Sequence, residues 1–294
     1  MANTEKKSIF NKFNTSKNPN DAGREMTFID HLEELRWHLV RSMAVWLTLS
    51  IVIFLFRDWV FDNIILAPRS TNFVSYRYLC NFSHFIGIGK ALCMPPITMQ
   101  LQGTTVNGPF VAALNISMIG GFIAAFPYIF YEIWKFVKPA LNKKELSYGG
   151  VSIFWVSFCL LLGASFGYYI LAPFTFNFLA NFHLGTTNAY EYKPTLDDYI
   201  GTLTNLLLGC GLAFELPVLA VVFAKLGLIN AKFLSVYRRY AYVIILIVAA
   251  ILTPSPDWIS QAIVASPLLL LFEISILLVK RIDNQKVQDE KQWE

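Results

Sequence analysis

The sequence predicts an all-α integral membrane protein of six transmembrane helices with both termini on the cytoplasmic side. Three observations lead there. The 294 residues are 55% hydrophobic and only 15% charged, with mean hydropathy +0.48, whereas soluble domains carry roughly 25% charged residues. The apolar residues gather into runs of span length instead of period-2 or period-3.6 stripes. Lys and Arg are also unevenly placed. Residues 1–36, 135–149, 225–239 and 280–294 hold 18 of them, whereas 57–113, 173–197 and 253–257 hold 5, and the base-rich side faces the cytoplasm.

Residues 1–25 read as a disordered cytoplasmic tail. Lys6, Lys7, Lys12, Lys17 and Arg24 precede any apolar core, so no cleavable signal peptide is expected and the first span stays as an anchor. A six-helix membrane domain is expected over 26–281, with a short cytoplasmic tail at 282–294. Thr27 followed by Asp30 is a capping-box pattern that starts a helix. Leu32, Leu35 and Leu39 share one face of it and His31, Glu34 and His38 another, so it runs along the interface before entering the bilayer. The acidic turn reads equally as a solvated, dipole-compensating helix start.

The spans are expected at Trp37 to Phe56, Leu114 to Trp134, Tyr148 to Ala172, Tyr199 to Ala224, Tyr240 to Leu252 and Trp258 to Val279. Aromatic residues stand at many of these ends, as an interfacial belt requires. The fifth is too short: its 13 residues reach about 20 Å against a hydrocarbon core of about 30 Å. Both consequences are expected: the bilayer thins there, and the fifth and sixth helices stop short of the far surface, where Pro254 and Pro256 turn the chain. Between spans two and three, Pro139 ends a helix and Glu145 follows a run of bases, where an exposed pairing with Lys143 or Lys144 is the plain reading. The long exterior loop 57–113 contains Cys80 and Cys93, which an oxidising compartment would let pair, two free thiols being the alternative.

Glu215 lies inside the fourth span, where an ionisable side chain costs at least about 2.5 kcal/mol. Gly201, Thr204, Leu208, Gly211 and Glu215 follow 3,4,3,4 spacing, so the acid shares a face with small and polar residues suited to helix contact or water. Pro217 weakens the backbone ladder beside it. A protonated acid bonded to a neighbouring helix is the other reading. Glu273 in the sixth span poses the same question, and Glu132 near a membrane surface reads as structural. Gly163-Ala-Ser-Phe-Gly167 matches the serine-hydrolase pattern, but that pattern needs a strand before its turn, so Gly163 and Gly167 read as a packing face. No catalytic residue, cofactor or metal set is expected: the four histidines are scattered, and there is no phosphate-binding loop. Bases are not clustered on one face, so nucleic acid is not an expected partner.

Four ordered segments carry a resemblance: His31-Leu-Glu-Glu-Leu-Arg36, Phe136-Val-Lys-Pro-Ala-Leu141 with Glu145, Phe214-Glu-Leu-Pro217, and Leu252-Thr-Pro-Ser-Pro-Asp-Trp-Ile-Ser-Gln261. The chain resembles TatC, the multispanning core subunit of the twin-arginine protein translocase, from about Met26 to Arg281. The resemblance implies six helices with a short fifth and sixth, a concave face, a place in the bacterial cytoplasmic (inner) membrane, and export of folded proteins driven by the proton-motive force. It also implies that Glu34 and Glu145 accept the two arginines of a signal peptide, with Arg36, His31 and Phe136 shaping the patch. Glu215, Thr204 and Gln261 would meet the single-span partners TatA and TatB, with further copies of the chain in the complex. Pro68, Pro139, Pro217 and Asp257 would be structural. The loop Thr71 to Gln102 is longer than in compact family members, and Ser255 stands where a proline or small residue is common. A proton-coupled solute transporter using Glu215 and Glu273 and an intramembrane hydrolase using Ser165 are the readings from other classes.

Overall fold

The computed structural model describes residues 28–70, 73–86, 93, 100–137, 149–181, 193–225, 229–253 and 258–291. Among them every regular element is helical. In order these are α1 (Phe28–Leu55), α2 (Arg57–Val60), α3 (Val74–Ile86), α4 (Gly108–Val137), α5 (Gly149–Phe166), α6 (Ala172–Asn181), α7 (Leu196–Ala213), α8 (Leu216–Lys225), α9 (Ala231–Val236), α10 (Arg238–Leu252) and α11 (Trp258–Lys291). Five helical stretches are long and apolar enough to cross a membrane: Leu32–Leu55, Gly108–Val137, Ile153–Asn181, Leu196–Ala224 and Ser260–Asn284. The fifth expected span is α10, whose 15 residues reach about 22 Å.

Helix starts follow local chemistry. Thr195 Oγ1 accepts the Asp198 N–H at 3.1 Å, and Asp197 and Asp198 fill the first turn of α7, where negative charge suits the helix N-terminus. Asn230 Oδ1 accepts from Phe233 N at 2.7 Å and caps α9. Asp283, far along α11, accepts from Ala231 N at 2.7 Å. That bond ties the last helix to the start of α9.

Two expected boundaries move. The third span continues past Ala172 to Asn181, because a π-helical turn at Gly167–Leu171 accommodates Pro173, which has no N–H to give. The sixth helix is not short: α11 runs 34 residues, its charged end carrying the helix on beyond the apolar part. In the fourth span the chain turns at Phe214 and Glu215 between α7 and α8, as the missing N–H of Pro217 leads one to expect.

α7 sits in the core, with Leu203, Leu206 and Cys210 almost fully buried among Leu171, Phe176, Phe214, Ile245 and Val264. The outer faces of α1, α5 and α10 expose Leu47, Ile51, Phe154, Trp155, Ile247 and Ile251, which is the apolar coat a lipid-facing surface needs. Small residues set the closest crossings. A Cβ on Gly121 would lie 2.8 Å from Ser50 Cα, and one on Gly163 would lie 2.5 Å from the Cys210 carbonyl oxygen. Gly163 and Gly167 thus form the packing face that their spacing predicted.

The end of the bundle away from the N-terminus is laced by tyrosines. Tyr168, Tyr199 and Tyr76 donate to the carbonyls of Ile64 (2.6 Å), Ile65 (2.8 Å) and Pro68 (2.9 Å). Pro68 is buried in a 3-10 turn at Ala67–Arg69. Phe73 stacks on Tyr169 with 5.9 Å between ring centroids. Gln102 pairs with Thr195. Helix α3, inside the long loop, was not expected from the sequence. Cys80 on α3 is joined to Cys93 by a disulfide, which resolves that pair in favour of the bonded form.

Candidate functional site

At the N-terminal end of the bundle, α1 packs against α4 along most of its length. Glu34 lies on α1, half-exposed, and Arg36 is exposed. Phe136 lies near the end of α4, half-buried, with its ring edge-on to His38 at 6.4 Å. His31 belongs to α1, but its side chain lies outside the described ones. Glu145, Pro139 and Asp257 lie outside the described residues altogether.

Between these residues lies a constellation that sequence reasoning missed. His38 is 6% exposed and Glu132 3%, and His38 Nδ1 donates to Glu132 Oε2. Tyr128 donates its hydroxyl to the other carboxylate oxygen, Oε1, at 2.8 Å. The carboxylate is therefore satisfied on both sides, as a buried anion requires. The opposite imidazole nitrogen, Nε2, lies 4.0 Å from Glu34 Oε1, one helical turn back. Glu132 is therefore structural in a specific sense: it anchors the ring that stands behind Glu34. The i,i+4 spacing of Glu34 and His38 was visible in the sequence. The partner 94 residues further on left no local signal.

In the middle of the bundle, Glu215 is 6% exposed at the turn between α7 and α8, and its Oε1 has no hydrogen-bond partner among the described residues. Thr204 is buried, but its hydroxyl donates to the carbonyls of Ile200 (2.7 Å) and Gly201 (3.1 Å) within its own helix. It lies 11 residues from Glu215, about 16 Å along the axis, so one face does not make one site. Gln261 Nε2 donates to the Leu246 carbonyl at 3.2 Å and fastens α11 to α10. Pro217 is buried in the first turn of α8.

Glu273 is already engaged. It accepts from Arg238 Nη2 at 2.7 Å and from the Tyr242 hydroxyl, which suits a helix clamp better than a proton relay. Ser165 is exposed near the end of α5, just before the π-helical turn, without the strand a nucleophile elbow needs. Cys80, His84 and Cys93 converge within 4.8 Å. The two thiols are bonded to each other, and His84 Nε2 lies 3.9 Å from Cys93 Sγ.

Comparison with known proteins finds relatives along most of the chain. The family model for TatC, the Sec-independent protein translocase protein, matches residues 30–267. The TatC protein of Blattabacterium sp. subsp. Periplaneta americana is 34% identical over 265 residues, 89% of this chain and 98% of the relative. That of Campylobacter jejuni is 34% identical over 257 residues, 86% of this chain and 93% of the relative. A crystal structure described as the twin arginine translocase receptor TatC in DDM aligns with TM-score 0.66 at 31% identity, covering 85% of this chain and 99% of that one.

Proposed function

Because the chain belongs to the TatC family of Sec-independent protein translocase proteins, we propose that it is the twin-arginine signal-peptide receptor and core subunit of a translocase that exports folded proteins on the proton-motive force. Its membrane domain spans 26–281 between two cytoplasmic tails and crosses the bacterial inner membrane six times. Five crossings are the long apolar stretches; the remaining one is α10, about 8 Å shorter than the hydrocarbon core, which the bilayer meets by thinning locally. The excess of Lys and Arg on the side of both termini supports that orientation.

The observation that carries the reading is the placement of Glu34. Its half-exposed carboxylate stands at the N-terminal end of α1 beside the ring contact between His38 and Phe136. Glu145 follows Phe136 by nine residues, a tether that extends to at most about 30 Å. Two carboxylates presented to one short peptide would suit two guanidinium groups, whose planar forks bond carboxylates bidentately as lysine cannot. Each charge-assisted bond contributes about 1.5 to 3 kcal/mol.

The peptide's apolar part would lie along a concave membrane face toward Glu215, whose unpartnered buried oxygen supports a polar role there. TatA- or TatB-type single-span subunits would dock at Glu215 and along the fourth and fifth spans, α7–α8 and α10, and further copies of the chain would complete the complex. The reading assigns no catalytic step to the chain.

Glu34→Ala and Glu145→Ala are each expected to abolish photo-crosslinking of a twin-arginine peptide while the protein stays inserted and abundant. Unchanged crosslinking in both would refute the assignment. Export of a twin-arginine reporter in a strain lacking its own TatC tests the whole function.

A further inference from the structure

We propose that Cys80, His84 and Cys93, on the chain between the first and second spans, form a redox-gated zinc site: bonded to each other the two sulfurs hold no cation, and once reduced they bind Zn²⁺ together with His84 Nε2. The inference is independent of the arginine-acceptor reading above.

Local structure assembles the donor set. Cys80 and His84 stand four residues apart on α3, so their side chains leave one face of the helix a turn apart. Cys93 follows His84 by nine residues and returns to that face, where it is joined to Cys80. The three ligand atoms lie within 4.8 Å of one another, and His84 Nε2 is 3.9 Å from Cys93 Sγ. Tetrahedral zinc, with bonds of about 2.0 Å to nitrogen and 2.3 Å to sulfur, places its donors about 3.3 to 3.8 Å apart, so closing around the ion needs shifts of about 1 Å. His84 is exposed and both cysteines are half-buried, which leaves the ion an approach and water a fourth position. A covalent staple alone gives no reason for an imidazole to stand against its sulfur. The spacing, with three residues between Cys80 and His84 and eight between His84 and Cys93, departs from the paired zinc patterns, so a search for motifs passes over the set.

The donor chemistry selects the metal. Two thiolates and a neutral imidazole suit zinc and offer calcium or magnesium no oxygen. The two thiolate charges cancel the dication, so the loaded site adds no net charge to α3. Reduction balances with a small dithiol. Its thiolate attacks one sulfur of the pair, the other sulfur leaves as thiolate, and the dithiol's second thiol closes its own ring disulfide. The protein gains two electrons and two protons as two Cys thiols, and Zn²⁺ then displaces those two protons to solvent. The ion would hold Cys93 to α3 where the reductant has cut the covalent link.

The test uses the full-length protein in lipid nanodiscs, reduced with a dithiol, freed of it by anaerobic gel filtration, and titrated with Co²⁺ and then with competing Zn²⁺. The reduced protein is expected to bind one Co²⁺ per chain, with thiolate-to-cobalt charge-transfer bands and tetrahedral ligand-field bands that Zn²⁺ bleaches; the oxidised protein of the same sequence should show neither. Zn²⁺ should also slow alkylation of Cys80 and Cys93 in the reduced protein about tenfold or more, mapped by mass spectrometry, and leave Cys159 at its own rate. That readout needs no variant. His84→Ala, at an exposed position, should weaken Zn²⁺ binding about tenfold or more, and Cys80→Ser with Cys93→Ser should abolish the bands. Four results would each overturn the proposal: equal cobalt binding by oxidised and reduced protein, no charge-transfer bands after reduction, protection of Cys159 or Cys210 in place of the loop pair, or a His84→Ala protein that binds Zn²⁺ as tightly as wild type, as two thiolates acting alone would.

Discussion

Gly163→Ala is the sharpest test of how the bundle is held together, because a single methyl group there has nowhere to go. Its Cβ would sit 2.5 Å from the Cys210 carbonyl oxygen, 2.8 Å from Phe214 Cβ and 2.9 Å from Gly211 Cα. Ordinary contact begins at 3.4 Å, so α5 and α7 must separate by nearly 1 Å, and two of the three obstacles are backbone atoms that cannot rotate away. Overpacking of this kind costs about 1 to 3 kcal/mol, which for a chain of this length lowers the melting temperature by about 2 to 5 °C. The assay is built in. Cys210 is buried at that same crossing, so a dye that fluoresces on reaction with thiols reports when the helices part. Ser165→Ala, two residues along and exposed, should melt within about 0.5 kcal/mol of wild type and export normally. A Gly163→Ala curve that coincides with wild type, or a Ser165→Ala protein that is the damaged one, would refute the packing account of this motif.

Arg238→Glu should lower the thermal stability of the purified protein by separating α10 from α11, and adding Glu273→Arg should recover much of the loss; equal damage in the double variant would count against the clamp. The denatured, unreduced protein should take up thiol-reactive polyethylene glycol at Cys159 and Cys210 only, and at four positions after reduction. Burial pushes the Tyr76 phenol up to about 12. Its contribution to stability is then complete below about pH 10 and lost as pH climbs toward 12, and Tyr76→Phe should flatten that alkaline loss. Glu215→Gln should assemble but export poorly, and normal export would remove any polar role for that side chain.

The spans were legible because a chain that stays in water has little use for apolar runs of that length, and the turn at Glu215 was legible because Pro217 announces it. The third span ran further than its expected end at Ala172, because a π-helical turn absorbs the hydrogen bond that Pro173 cannot make. Helix α3 was hidden in the long exterior loop because its 13 residues are too few to read as a span. At the candidate site, the i,i+4 geometry of Glu34 and His38 could be read from spacing alone. What fixes that ring is Glu132, on another helix, and periodicity carries no information across such a separation. Thr204 shows the opposite failure, since sharing a helical face with Glu215 revealed nothing about a hydroxyl that bonds its own backbone.

Helix α10 buries only Ile245 and Ala249 out of fifteen residues, and its polar fastenings to α11 sit at Arg238, Tyr242 and the Leu246 carbonyl. Acyl chains and leucines are equally apolar neighbours, so exchanging one for the other along its open flank releases little free energy in either direction. A transmembrane segment settling against that flank would gain little from greasiness. Its choice of this helix over any other would have to be made by shape, by close backbone approach and by whatever polar groups it presents at the ends.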